Sequence, residues 1–198
     1  MDIFDEALCF AVQKHSGQTR KLHDTPYILH PMEVAEIVGT MTDDREVLAA
    51  AVLHDTVEDT DATLEELREK FGKRVSLLVM TETEDKRADR PPAETWVLRK
   101  EETLAILENT KDPGVQMMWL GDKLSNIRSF AREYRKVGDA LWENFHQKDP
   151  AKQAWYYCKI IQYLAPLAQY DAYREFVRLV QYVFQNHLEE VRNGIIDE

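Results

Sequence analysis

The seven residues Val47-Leu48-Ala49-Ala50-Ala51-Val52-Leu53 are apolar without a break, and His54-Asp55-Thr56-Val57-Glu58-Asp59 follows at once. Asp43 or Asp44 stands ahead of the run as an N-cap, so the stretch from 46 to about 54 reads as a helix. A helix that is apolar nearly all round is buried on most of its sides. The rest of the chain therefore has to enclose it, and the enclosed helix ends in a histidine and three acids.

The remaining sequence supplies further helices. Ile3, Phe4, Ala7, Leu8, Ala11 and Val12 recur at helical spacing, with Gly17 placed to end that helix. Pro31 suits the first position of a helix that turns Val34, Ile37 and Val38 inwards. Thr63-Leu64-Glu65-Glu66 has the form of a capping box, and Gly72 can close the helix it starts. Helices are also expected over 73 to about 82, 93–109, 115 to about 134, 150–167 and 171–192. The stretch 85–92, with Pro91-Pro92 in tandem, is the clearest loop. No set of alternating strands appears, and 7 Gly and 7 Pro are too few for the turns of an all-β fold. The expectation is an all-α, single-domain helical bundle over residues 1–198, a length that suits one domain. Cys9 and Cys158 fall in amphipathic helices and read as reduced core residues.

Charge and hydropathy exclude several functions. A net charge of −11 opposes binding to a nucleic acid polymer, which needs an excess of Lys and Arg. A small phosphorylated ligand needs only a local basic cluster, and Lys14, His15, Arg20, Lys21 and His23 provide one. No apolar run approaches the ~20 residues that span a bilayer. The N-terminus lacks the basic start and apolar stretch of a signal peptide. A cytoplasmic protein with no membrane partner is expected.

The chemistry centres on His54 to Asp59. Acids at a helix C-terminus oppose the helix dipole, so local stability does not account for them. A bound cation does, and imidazole with carboxylate suits a first-row ion such as Mn²⁺, Fe²⁺ or Zn²⁺ better than Ca²⁺. Further ligands are available. His30 precedes Pro31 at a helix entrance, and Asp122 lies in an otherwise apolar helix with Asn126 one turn later on the same face.

Together, His15 to Lys21, Pro26-Tyr27-Ile28-Leu29-His30-Pro31, His54 to Thr60 and Gly121 to Arg128 resemble the HD-domain metal phosphohydrolases. The resemblance is greatest to the hydrolase domain of the Rel/SpoT alarmone enzymes and to the stand-alone small alarmone hydrolases. It implies an HD-type helical bundle with His30, His54, Asp55 and Asp122 as ligands of a divalent metal, usually Mn²⁺. It implies Glu58 and Asp59 as the acidic pair that positions or activates water. Arg20, Lys21 and Asn126 correspond to residues that meet the nucleotide. The implied reaction is removal of the 3′-diphosphate of guanosine 3′,5′-bis(diphosphate) as pyrophosphate; 198 residues leave no room for the synthetase domain of the long bifunctional enzymes, so hydrolysis alone is expected. Each role agrees with the residue type. A divalent ion acidifies water and polarises phosphoryl oxygens, a carboxylate takes the proton, and cations offset phosphate charge. Leu22-His23-Asp24-Thr25 departs from the Ser- or Gly-rich loop of many relatives, which affects base or sugar recognition more than catalysis. The alternatives are an HD-type hydrolase of another nucleotide phosphate, and a nucleotide-sensing module without turnover.

Overall fold

A computed structural model describes residues 2–20, 22, 24–87 and 89–192, the side chains of Glu190 and Arg192 excepted. Helices are the regular structure throughout. They run α1 (Ile3–Lys14), α2 (Leu29–Gly39), α3 (Arg45–Leu53), α4 (Thr56–Asp59), α5 (Leu64–Met80), α6 (Pro92–Asn109), α7 (Pro113–Val137), α8 (Pro150–Tyr163), α9 (Asp171–Val183) and α10 (Leu188–Arg192). Short 3₁₀ segments cover Gly138–Asn144 and Ala165–Leu167. The described residues form no strand, and the nearest approach to one is an isolated antiparallel bridge between Thr19 and Pro26. The fold is all-α. None of the described helices is long and apolar enough to cross a membrane.

The chain divides into two compact units. One comprises the residues up to Glu84 together with Thr110–Ser125, and the other comprises Asp85–Asn109 and the chain from Asn126 onward. At the heart of the first is α3, packed by α1, α2 and α5. Val47 and Ala49 to Leu53 are all buried, as the unbroken apolar run requires. Asp44 caps this helix, its Oδ1 accepting from the Glu46 and Val47 amides at 3.0 and 3.4 Å. Arg74 holds the same carboxylate from α5 at 2.7 Å, which keeps it below the usual aspartate range. In the second unit an aromatic cluster takes the place of an apolar helix. Trp142 stacks on Phe184 at 5.1 Å, and Phe130, Phe145, Tyr157 and Phe176 complete the group. Tyr156 and Tyr157 are therefore core residues.

Several expectations change in detail. Helix α2 begins at Leu29, so Pro31 is its third residue rather than its first. Proline is tolerated there because the first-turn amides have no intrahelical acceptor. In α1 the inward face is Ala7, Phe10 and Ala11, while Val12 and Cys9 face solvent. Both cysteines are free thiols, and Cys158 is half-buried. Thr63 accepts from the Glu66 amide as a cap, but the Glu66 carboxylate pairs with Lys14 at 3.3 Å instead of closing the box. Gly72 does break its helix: its φ of 89° separates two helical stretches of α5. The expected 171–192 helix is interrupted after Val183 and resumes as α10.

One close approach positions the site. A Cβ on Gly121 of α7 would stand 2.9 Å from Val38 Cγ2 and 3.2 Å from both Val34 Cγ1 and the Val34 carbonyl of α2. Only glycine lets these helices come so near, and Asp122 is the next residue along. Gly121→Ala is expected to lower stability by about 1–3 kcal/mol in urea melts, the usual cost of overpacking. It should also weaken divalent-metal binding, because it pushes Asp122 away from α2. A variant matching wild type in both measurements would show that the two helices have slack.

Candidate metal centre

Three elements deliver the inner side chains. α3 ends at Leu53, and the chain turns at His54-Asp55 before α4 starts at Thr56. Helix α2 contributes His30 in its first turn, and α7 contributes Asp122. All three of His30, His54 and Asp122 are buried, and one donor atom from each lies within 4.8 Å of the others. His30 Nε2 is 3.2 Å from Asp122 Oδ1 and 3.5 Å from Asp55 Oδ2. His54 Nε2 is 3.8 Å from Asp122 Oδ1 and 2.9 Å from Asp55 Oδ2. The last pair, adjacent in sequence, meets as an ion pair and not as a hydrogen bond. His54 Nε2 consequently has no hydrogen-bond partner among the described residues.

The break after α3 alters the meaning of the acids. Glu58 and Asp59 are the last two residues of the one-turn helix α4, and not the C-terminus of α3. It is Asp55 that needs explaining. Its side chain makes no cap to α4 and turns instead toward both imidazoles, accepting a short hydrogen bond from Tyr27 Oη. Burial would raise the Asp55 carboxyl, but the facing histidines hold it well below the usual range. Burial would likewise raise Asp122, and Lys123, whose ammonium pairs with it, heads the contacts that pull it down. For His54, burial opposes protonation, yet Asp55, Asp122 and Glu82 outweigh it and raise the imidazole to about 10.

The donor set fits a divalent cation. A buried imidazole nitrogen without a hydrogen bond faces carboxylates whose charge would otherwise have to be met by protons. Histidine nitrogen and carboxylate oxygen together are ligands for first-row ions.

The family described as the HD domain matches residues 7–149. The chain belongs to the HD-domain family. Over 130 residues it is 43% identical to the human guanosine-3′,5′-bis(diphosphate) 3′-pyrophosphohydrolase MESH1, covering 64% of this chain and 69% of that protein. Over 130 residues it is also 40% identical to the Aquifex aeolicus guanosine-3′,5′-bis(diphosphate) 3′-pyrophosphohydrolase, covering 64% of this chain but 18% of that one. A probable GTP pyrophosphokinase of Mycobacterium leprae matches 91% of the chain at 34% identity, over 23% of its own length. The chain thus spans about a fifth of the length of the long curated relatives it matches. Among solved structures, a metazoan ortholog of SpoT that hydrolyses ppGpp superposes with a TM-score of 0.68 at 26% identity, covering 94% of this chain and 96% of the other.

Around the inner cluster, the HD domain places the other expected residues unequally. Glu58 is half-buried, and its Oε2 accepts from the Glu84 amide at 3.2 Å. Asp59 is exposed, 3.3 Å from Tyr27 Oη, with its carbonyl held by Gln18 at 2.8 Å. Arg20 lies in a hairpin-like loop fixed by hydrogen bonds from Arg20 to Thr25 and from Tyr27 to Gln18, and its guanidinium is 5.9 Å from the Tyr27 ring centroid. Lys21 and His23 lie outside the described residues. Asn126 follows Ser125 on α7 and falls in the second unit. Lys14 is committed to Asp61 and Glu66, at 3.0 and 3.3 Å, as a surface residue.

Four contributors escaped the sequence reading: Tyr27, Lys123, Ser125 and Glu82. Tyr27, Lys123 and Ser125 stand inside the family-like segments, so only their contacts were hidden. Glu82 carried no signal at all, because it sits where α5 ends and its environment is purely tertiary. Its Oε1 is buried without a hydrogen-bond partner among the described residues. Burial, then Asp122, push this carboxyl up to about 8. The folded state thus keeps the Glu82 proton longer than the unfolded chain, and metal-free stability should fall as pH rises from about 4.5 to about 8. In EDTA-treated protein, Glu82→Gln is expected to be near neutral at the acid end of that window and stabilising at the alkaline end. Urea melts at both ends check the sign; an equal effect at both would refute it.

Proposed function

We propose that this chain is a divalent-metal-dependent phosphohydrolase that removes the 3′-diphosphate of guanosine 3′,5′-bis(diphosphate) as pyrophosphate. The observation that carries the reading is the buried His30-His54-Asp122 donor set with the unpartnered His54 Nε2. The named activities of the human and Aquifex aeolicus relatives support the choice of substrate. We further infer that both units belong to one HD-type domain, since the family match over residues 7–149 runs through both.

His30, His54, Asp55 and Asp122 would hold the metal, with Mn²⁺ the preferred ion. Bound there, a divalent cation supplies Lewis acidity to water and to a phosphoryl oxygen. Asp55 brings its charge between two imidazoles and is steadied by Tyr27. Glu58 orients the attacking water and takes its proton, its carboxylate kept in place by the Glu84 amide. Asp59 assists from the solvent side of Tyr27. Arg20 and Lys21 offset the charge of the nucleotide phosphates, and Asn126 contributes a neutral polar contact to the nucleotide. An acidic protein can bind such a ligand because these cations are local. The setting is the cytoplasm and the partner is a small nucleotide, with no role for nucleic acid polymer or membrane.

Purified protein with Mn²⁺ is expected to release pyrophosphate from guanosine 3′,5′-bis(diphosphate), to stop when EDTA is added and to recover when Mn²⁺ is restored. No release across several divalent ions would overturn the reading, and orthophosphate in place of pyrophosphate would redirect it to another phosphate ester. His54→Ala should lose metal binding and turnover together. Glu58→Gln should bind Mn²⁺ normally yet lose about 10²–10⁴-fold in kcat, the usual worth of a positioned acid–base group. A fully active Glu58→Gln would remove Glu58 from its role.

A further inference from the structure

The two histidines of the metal centre are held from behind in different ways. His54 Nδ1 is 2.9 Å from the Ala51 carbonyl of its own helix. A carbonyl can only accept, so Nδ1 carries the hydrogen and Nε2 is turned to the carboxylates. His30 Nδ1 instead meets a side chain, Ser125 Oγ, at 2.8 Å. A hydroxyl can donate or accept, so this contact alone leaves the His30 tautomer open. The next bond closes the question. Ser125 Oγ donates to Glu33 Oε2 at 2.7 Å, which uses its single hydrogen. Only lone pairs then face His30, and Nδ1 has to be the donor.

We propose that Glu33 and Ser125 are positioning residues that fix Nδ1 of His30 as the donor and so leave Nε2, beside Asp122 and Asp55, as the nitrogen available to a cation. The arrangement follows from helix geometry. His30 and Glu33 are three residues apart on α2, and Asp122 and Ser125 are three apart on α7. Residues so spaced share a face, so each helix presents one ligand and, a turn behind it, one supporting group. The close approach at Gly121 brings the two faces together. Ser125 is fully buried, so water does not substitute for its hydroxyl. Hydrogen-bonded partners behind ligating imidazoles generally strengthen metal affinity about 10–100-fold. The inference rests on the metal-dependent reading above, and it adds two residues that act through His30.

The test is metal affinity and imidazole NMR, not turnover. Wild type, Ser125→Ala, Glu33→Ala and the double variant are titrated with Mn²⁺ against a competing chelator. Ser125→Ala is expected to bind about 10–100-fold more weakly. The double variant should be no weaker than Ser125→Ala alone, because the relay is already broken. In ¹⁵N-labelled, Zn²⁺-loaded protein, wild type should show protected Nδ1–H groups at both His30 and His54. Ser125→Ala should lose protection at His30 only, with His54 on its main-chain carbonyl as the internal control. Unchanged affinity, an unchanged His30 signal or additive losses would each overturn the proposal. Should Ser125→Ala fail to fold, the half-buried Glu33→Ala carries the same comparisons. A wild type that binds neither ion would overturn the metal reading itself.

Discussion

Two imidazoles and the Asp122 carboxylate are buried together, with Asp55 against them, and the first unit is organised around the consequence. Charges removed from water have to be met by opposite charge or by protons. The cluster's own groups answer that demand. His54 is driven toward its protonated form, Lys123 closes on Asp122, and Glu82 holds its proton. Each of these responses answers a surplus of negative charge. A divalent cation would answer it more directly, through the atoms these side chains already aim at one another.

Rigid helices carry the inner groups, and looser segments carry the outer ones. His30 and Asp122 project from α2 and α7, and His54 closes the buried helix α3, so their relative positions depend on tight packing. Arg20 and Asp59 stand on loop or helix-end backbone nearer to solvent. Tyr27 joins the two zones, with its hydroxyl on Asp55 and its ring beneath Arg20. Such a division gives an inner cluster of fixed geometry beneath a more yielding rim. It also accounts for the close contact at Gly121: a side chain there would push Asp122 away from the two imidazoles.

Most of the helices were legible in the sequence because their signals are local. An unbroken apolar run, Asp44 before it, Thr63 as a cap and Gly72 as a break each act within a few residues. The errors arose where a local signal had a tertiary competitor. Glu66 left its capping box for Lys14, and Val12 and Cys9 yielded the inner face of α1 to Phe10. The His54-Asp55 turn moved Glu58 and Asp59 onto a separate one-turn helix, away from the C-terminus of α3; Asp55, at the head of that helix without capping it, turns to the imidazoles instead.

The sequence by itself determined that the chain is helical, that one helix is enclosed, and which histidines and acids are available for a metal. Those properties depend on periodicity, capping and the chemistry of single side chains. Only the tertiary structure decided which of them meet. It joined residues from α2, the α3–α4 turn and α7, gathered Glu82 and Tyr27 beside them, and set Glu33 and Ser125 behind His30. Nothing in a linear spacing of 92 residues marks Glu33 and Ser125 as partners. Their pairing exists because Gly121 lets two helices approach, and distance in space, not in sequence, decides whether a hydrogen bond forms.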